Sequence, residues 1–366
     1  MVIHILFIVL LFIVYYQTGG AKSDISLKIR KRQVSWMGFL LFIFAALRSP
    51  TVGYDILGTV IEAGYYADYS QDASMSFAEI FSVRAGRDPF FHSFLKVLSF
   101  ISDSPQFMLI VVGAIFVFGF SYFVYHSKGN VLLIYMMLIG FRIFSFSLSG
   151  LRQAIALGLI YVAYIFFRDK RYRLFLILTG IATLFHQSAM IFLLVFPLMF
   201  VPPKYVLGVL VFMLLVNFAG GIIITNLASL FFGGRFDSHL ALSANKVFEG
   251  GATFYLYITF FVLILTFYRK MKRRDEYFDK EISIISMGIF FSVIGQTMDA
   301  VFRIAYYFIF LLFPATSLML DCMFVEKKTS RAVSFIASLL LAVQYILLGT
   351  GAGTQNYEFF WTFNYL

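Results

Sequence analysis

The chain is expected to be an all-α polytopic membrane protein, a single integral membrane domain over residues 1–366 with about 12 membrane segments. Its residues are 61% hydrophobic and only 13% charged, and its mean hydropathy is +0.87. A soluble domain is typically about one quarter charged. Because membrane-embedded backbone must satisfy its own hydrogen bonds, and the apolar runs lack the alternation of a barrel, the segments are predicted to be helices.

The positive charge is concentrated in three short basic clusters that separate apolar runs. These clusters lie at residues 22–32, 168–173 and 269–274 of a chain whose net charge is +10. Such clusters orient helices with their basic ends in the cytoplasm and contact anionic lipid, so no nucleic-acid partner is inferred. The resulting topology assigns residues 48–106 and 225–253 to two extracytoplasmic loops.

Neither a metal nor a cofactor is expected from the sequence. The five histidines lack the spacing of metal ligands, and no nucleotide-binding glycine pattern is present. The lone cysteine, Cys322, excludes an internal disulfide framework.

Segment 90–101 of the first loop is predicted to be an interfacial or re-entrant helix. It is too short to cross a bilayer, which needs about 20 apolar residues. The residues that follow helical spacing are apolar, and His92, Lys96 and Ser99 share the other face. The apolar positions are Phe90, Phe91, Phe94, Leu98 and Ile101. This amphipathic pattern is typical of helices that lie at a membrane surface.

The apolar run at 174–201 is interrupted once, by His186, Gln187 and Ser188. With Lys204 taken as cytoplasmic, the run begins and ends on the same side of the membrane, so it is predicted to be a broken, re-entrant hairpin. A histidine at membrane depth is expensive and therefore indicates function. The alternative is a structural histidine whose imidazole is satisfied by a backbone carbonyl.

Several arginines fall on the predicted outer side, against the usual charge bias. Arg152 begins a predicted helix after "SFSLSG", and a guanidinium beside free helix N–H groups makes an anion site. Arg142 lies near the end of the preceding helix, where it could instead extend to lipid headgroups. Arg303 opens a later helix one turn after Asp299, and these two could simply neutralise each other.

Five motifs in order resemble the EpsG family, the Wzy-like polymerases of exopolysaccharide and O-antigen repeat units. The motifs are "RSPTVGYD" (48–55), "GRDPFFHSFLKVLSFI" (86–101), "LRQAIALGLIYVAY" (151–164), "LFHQSAMIFLL" (184–194) and "RIAYYF" (303–308). The resemblance covers about residues 48–310. One departure is Asp88, where the family more usually has glutamate before proline.

The resemblance implies a GT-C-like fold and a glycosyltransferase of the bacterial plasma (inner) membrane. Both the donor and the acceptor would be oligosaccharides linked to undecaprenyl pyrophosphate, and the enzyme would join them at the outer leaflet without a nucleotide sugar. Membrane lipid and a chain-length regulator are the further partners that the family suggests. The candidate catalytic residues are His186, Asp55 and Asp88. The candidate pyrophosphate-binding residues are Arg152, Arg142, Arg303 and Arg48. Further candidate site residues are Gln153, Gln187, Ser188 and Asp299.

Two other functions compete with the polymerase. A repeat-unit flippase or other transporter should show pseudo-symmetric halves, and the sequence contains no evident repeat. Another lipid-linked glycan transferase, such as an O-antigen ligase or an acyltransferase, would share much of the same composition. An acyltransferase would place its histidine and acid within reach of an acyl donor.

Overall fold

The computed structural model describes residues 1–20, 26–58, 64–85, 88–208, 210–211, 251–297, 299–324, 326–347 and 352–363. Within these ranges the chain consists of helices and the segments that connect them, and an isolated antiparallel bridge joins Arg48 and Phe359. The all-α prediction is therefore confirmed for this part of the chain. The predicted loop at 225–253 falls almost entirely outside it.

The described residues form two compact units, Met1–Met190 with Ser334–Leu366, and Ile191–Val333. The single integral domain remains a prediction. In the first unit the helices are α1 (Val2–Gln17), α2 (Leu27–Ala46), α3 (Tyr54–Leu57), α4 (Tyr65–Ser74), α5 (Phe77–Val83), α6 (Pro89–Ser99), α7 (Gln106–His126), α8 (Val131–Gly140), α9 (Ile143–Ser147), α10 (Leu151–Arg168) and α11 (Tyr172–Phe185).

The core of the first unit is a layer of helices in which α10 packs against α7 and α11, and α7 packs against α2. All ten residues of α8 are buried. The backbones of α7 and α10 approach closely at two glycines. A Cβ on Gly119 would collide with the Gly158 carbonyl, and one on Gly158 would lie 2.5 Å from the Ile115 carbonyl oxygen. Small residues at helix contacts are typical of membrane helix packing.

Arginines from two of the predicted cytoplasmic clusters meet at the C-terminal end of α7. Arg30 donates to the carbonyls of Val124, Tyr125 and Gly129 at 2.5, 3.1 and 2.7 Å. Arg168 donates to the carbonyl of His126 at 2.8 Å. The last carbonyls of a helix lack internal partners and favour cations. The structure thus gathers at one helix end the charges that the sequence assigns to one side of the membrane.

The helix predicted at 90–101 is present as α6, but its buried face differs from the predicted one. Of the predicted apolar positions, Phe91 and Leu98 are buried, whereas Phe90 is exposed and Ile101 is exposed beyond the end of the helix; Leu95 is buried as well. His92, predicted on the polar face, is also buried, because its imidazole pairs with Asp72 of α4. The interfacial location of this helix stays a prediction.

The run at 174–201 is broken where the sequence predicted. Helix α11 ends at Phe185, and His186 has an extended backbone with φ −153° and ψ 109°. A 3-10 helix follows at Gln187–Leu194, and then α12 at Val195–Leu198. The hairpin direction of the segment stays a prediction.

The remaining helices, α13 to α19, are Gly251–Thr266, Tyr268–Arg274, Phe278–Ile294, Asp299–Ile304, Tyr306–Ile309, Leu312–Met323 and Lys327–Leu347. A 3-10 turn at Gly295–Thr297 precedes Asp299–Ile304, and another lies at Phe360–Thr362.

Three helices of the described chain are long and apolar enough to cross a bilayer. They are Gln106–His126, Leu151–Arg168 and Lys327–Leu347. Two bent pairs raise the number to five if each counts as one span: Thr253–Thr266 with Tyr268–Arg274, bent by 72°, and Ala300–Ile309 with Leu312–Met323, bent by 50°. The chain is therefore a helical membrane protein.

The close approach of α7 and α10 predicts that Gly158→Ala destabilises the protein. The added methyl must displace backbone, and overpacking of this kind costs about 1–3 kcal/mol. The matched control is Gly180→Ala in α11, where a Cβ meets nothing within 4 Å and helix propensity favours alanine. Thermal unfolding of the purified protein in detergent should show a lower midpoint for Gly158→Ala alone. Equal midpoints for the two variants would contradict the close contact.

Candidate functional site

Arg152 and Asp88 form an ion pair at the beginning of α10. Arg152 Nη1 donates to Asp88 Oδ2 at 2.8 Å, and the arginine side chain is 33% exposed. Arg152 is the second residue of its helix, so its guanidinium lies beside the unsatisfied N–H groups of the helix start. Asp88 precedes Pro89, the first residue of α6. The structure thus brings together two of the residues that the sequence singled out.

Tyr65, the first residue of α4, completes the contacts of this arginine. Arg152 Nε donates to the Tyr65 hydroxyl at 3.4 Å. Burial raises the pKa of Tyr65, a shift that the charge of Arg152 opposes. The phenol therefore stays protonated at neutral pH and can donate to an oxygen of a bound molecule. No sequence argument selected Tyr65, because a lone tyrosine in a loop carries no spacing signal.

Asp55, the second residue of α3, lies beside the loop that precedes α10. Its backbone N–H donates to the Ser149 hydroxyl at 3.3 Å, three residues before Arg152. The Asp55 side chain is exposed, and its charge acts on the hydroxyl of Tyr65. At Gly53 the backbone has φ +111°, and a Cβ there would lie 2.6 Å from the Leu148 carbonyl oxygen, so only glycine allows this approach.

These groups offer a defined set of chemical capabilities. A half-buried guanidinium at a helix start binds anionic oxygens. An exposed carboxylate can accept a proton from a hydroxyl group. A buried tyrosine hydroxyl can orient a polar substrate atom. We call Arg152, Asp88, Tyr65 and Asp55 the α10 site.

Arg48 is buried, and its guanidinium binds backbone carbonyls close to this site. Its guanidinium donates to the carbonyl of Ala45 and, at 3.1 Å, to that of Leu148. Desolvation lowers the pKa of Arg48 to about 10, so the group remains charged at neutral pH. Its predicted pyrophosphate role stays a prediction, and its visible contacts join the end of α2 to the loop before α10.

Residues 352–363, which we call the C-terminal tail, also bind the segment between α2 and α3. The tail accepts hydrogen bonds from the backbone N–H groups of Ser49, Gly53 and Tyr54. Its own Phe360 N–H donates to the Leu47 carbonyl at 2.9 Å, and its Tyr357 hydroxyl donates to a carbonyl of α2 at 2.6 Å. Arg48 and the tail therefore both hold the segment that leads to Asp55.

A second set of charges lies buried between α4, α5 and α6, and sequence reasoning did not predict it. Asp72 accepts from Arg84 Nη2 at 3.1 Å and from His92 Nδ1 at 2.6 Å. Asp68 pairs with the same Arg84 nitrogen at 3.0 Å. The Asp72 side chain is fully buried. The spacing of four between the aspartates could have indicated one helix face, although nothing local identifies their partners.

The other predicted residues are described within their own segments. Gln153 is buried next to Arg152, and Arg142 has the left-handed backbone conformation, with φ 62°. His186, Gln187 and Ser188 follow the end of α11, where the ring of Phe185 packs edge-on against Phe94 of α6. Arg303 and Asp299 belong to the second unit, and the Asp299 side chain lies outside the described part. The roles of all these residues stay predictions.

Among the described residues, no group of three or more histidine, cysteine, aspartate or glutamate side chains could hold a metal ion.

Comparison with known proteins gives one match. The family model described as "EpsG family" matches residues 31–361 of this chain. No curated protein and no solved structure matches. The matched region includes every element of the α10 site and the C-terminal tail as far as residue 361. The five ordered motifs found in the sequence lie inside it as well, and the chain belongs to the EpsG family.

Proposed function

We propose that the protein is a Wzy-type polysaccharide polymerase that joins lipid-pyrophosphate-linked oligosaccharide repeat units at the α10 site. Membership of the EpsG family associates the chain with polysaccharide polymerisation in a broad sense. The observation that supports the finer proposal is the Arg152–Asp88 pair at the start of an apolar helix. That pair lies next to an exposed carboxylate and a buried tyrosine hydroxyl.

The proposed reaction is a glycosyl transfer between two lipid-linked molecules. A hydroxyl oxygen of the incoming repeat unit attacks the anomeric carbon of the growing chain, and a new glycosidic C–O bond forms. The bond between that carbon and the pyrophosphate oxygen breaks, and lipid pyrophosphate leaves with the electron pair. The hydroxyl proton passes to a base on the protein. No oxidant, reductant or nucleotide sugar is needed.

Arg152 is proposed to bind the leaving pyrophosphate. Positioned donors that face a developing negative charge usually provide the largest catalytic contribution. Asp88 already accepts a hydrogen bond from this guanidinium, so we assign it the orientation of Arg152. Asp55 is exposed and is the base that the geometry favours, with His186 as the alternative that the sequence favours.

The outer face of the membrane is the proposed location of the site. The α10 site lies at the first turn of α10, and the Arg168 contact with the end of α7 lies at its last turn. A helix of this length rises about 27 Å, close to the hydrocarbon thickness of a bilayer. Because the basic end is predicted to be cytoplasmic, the opposite end would face the donor and acceptor lipids in the outer leaflet. About 12 segments and a GT-C-like arrangement remain part of this proposal.

Arg152→Ala should abolish polymer, and Arg152→Lys should restore it only in part, because lysine cannot bind phosphate oxygens with a planar fork. Loss of one charge-assisted contact to a developing anion costs about a hundredfold in rate. The measurement is the chain-length ladder of surface glycan in cells with matched protein levels. Arg168→Ala, at the other end of the same helix, is the control and should keep the ladder. Single repeat units without polymer support a polymerase, whereas absence of any surface repeat would indicate a flippase.

His186→Ala and His186→Gln together test whether this histidine is the base. If it transfers the proton, both variants fold normally and polymer falls at least about a hundredfold, the scale of general-base catalysis. If it is structural, His186→Ala lowers thermal stability and His186→Gln restores it together with activity. Purified protein with lipid-linked repeat units gives both readouts. Near-normal activity of His186→Gln would leave Asp55 as the base.

Single cysteines in a Cys322→Ala background test the orientation. An impermeant thiol reagent applied to intact cells should label position 70 of α4 and leave position 170 unlabelled until the membrane is opened. Position 204 decides the re-entrant hairpin, which requires labelling only from the cytoplasm. If position 204 is labelled from outside, the segment after α11 completes a crossing and the hairpin is wrong.

A further inference from the structure

One buried carboxylate contacts both sides of the segment that presents Asp88. Arg84, which follows α5 four residues before Asp88, donates to Asp72 Oδ1. His92, which lies in α6 four residues after Asp88, pairs with Asp72 Oδ2 at 2.6 Å. The side chains of the three paired residues are at most 7% exposed. Asp72 therefore ties together two points that flank Asp88 in the chain.

Asp88 needs such support because its backbone conformation is unfavourable. Its φ of 57° and ψ of 69° are in the left-handed region, which residues other than glycine seldom adopt. The residue precedes proline, which further restricts its backbone. Strained conformations of this kind persist only where the surrounding structure determines them. The ion pair with Arg152 alone is partly exposed, so it is a weak source of that support.

We infer that Asp72 is a positioning residue, which through Arg84 and His92 holds Asp88 in the conformation that pairs with Arg152. Asp72 itself contacts neither Arg152 nor Tyr65 in the described hydrogen bonds and ion pairs. It acts through the two ends of the segment, and Asp88 in turn orients the guanidinium. The inference rests on the proposed function only for its effect on catalysis. The effect of Asp72 on the conformation of Asp88 does not depend on what the protein does.

Asp68 provides a matched control. It lies one helical turn before Asp72 on α4 and pairs with the same Arg84 nitrogen, at 3.0 Å. No described contact joins Asp68 to His92. Asp68→Asn therefore removes a carboxylate from the same arginine and leaves the link between Asp72 and α6 in place. Asp72→Asn removes the charge that both Arg84 and His92 contact.

The experiment measures the geometry directly by cross-linking. Cysteines replace Asp88 and Arg152 in a Cys322→Ala background, and a short bismaleimide joins them in membranes. A second pair, at Phe94 and Phe185, whose ring centroids are 5.4 Å apart, reports whether α6 as a whole remains against α11. Neither readout requires activity, so failure of the polymerase assignment would not affect either measurement.

Asp72→Asn is expected to lower the yield of the 88–152 cross-link at least about tenfold, the scale of a lost charge-assisted hydrogen bond. The 94–185 yield should stay within about twofold of the parent. Asp68→Asn should leave both yields near the parent values. Unchanged 88–152 yield in Asp72→Asn would overturn the inference. Equal loss of both cross-links would overturn it too, because Asp72 would then hold the whole helix.

A second variant keeps the test decisive if Asp72→Asn does not reach the membrane. His92→Phe keeps the Asp72–Arg84 pair and a ring at this position but has no donor for Asp72, and it should reproduce the selective loss of the 88–152 cross-link. In the otherwise unmodified chain, Asp72→Asn should also reduce polymer, and Asp68→Asn should not. If Asp72→Asn loses the cross-link but makes polymer at the parent level, the positioning inference stands and the proposed role of Asp88 in catalysis is wrong.

Discussion

The four carbonyls at the C-terminal end of α2 are the constraint on which the site depends. Such carbonyls have no partners inside their own helix, and leaving them unsatisfied in an apolar protein is costly. Here the carbonyls of Phe44 and Leu47 accept from the C-terminal tail, that of Ala45 from Arg48, and that of Ala46 from Gln106 of α7. The chain therefore leaves α2 along a fixed path.

That fixed path determines where the chemically useful groups lie. The second terminal nitrogen of Arg48 donates to the Leu148 carbonyl. This hydrogen bond joins the loop after α2 to the loop before α10. Asp55 then lies beside Ser149, and Arg152 follows on the first turn of the helix. The groups to which we assign anion binding and proton transfer thus come from segments far apart in the chain that satisfy each other's backbone.

The sequence predicted α6 and the helix break at His186, but it did not predict the side chains that these elements contact. The apolar periodicity located α6, and the polar step at His186 located the helix break, since both signals lie within a few residues. Arg152 was identified because it follows a Ser/Gly loop at a helix start. Gln106 and the tail were missed, because nothing near them in the sequence indicates the end of α2. The pairing of Asp88 with Arg152 spans 64 residues, a separation that local patterns do not encode.

His92 shows how helical spacing can predict a polar position without predicting its neighbour. Helical spacing placed it with Lys96 and Ser99 on the polar face, and a polar face is normally solvated. In the structure the imidazole is buried against Asp72, whereas Lys96 and Ser99 are partly exposed. An amphipathic pattern distinguishes apolar from polar positions. It does not tell whether a polar side chain faces water or a buried carboxylate.

The C-terminal tail has a consequence for the order of biosynthesis. His4 in the first helix bonds to the Thr354 carbonyl at 2.8 Å, across 350 residues of chain. Two of the four carbonyls at the end of α2 likewise accept from Tyr357 and Phe360 of the tail. A nascent chain can insert its helices one by one, yet these carbonyls stay uncovered until the ribosome has made the tail. Chains that stall before residue 352 would then carry an α2 whose last turn lacks two of its hydrogen-bond partners.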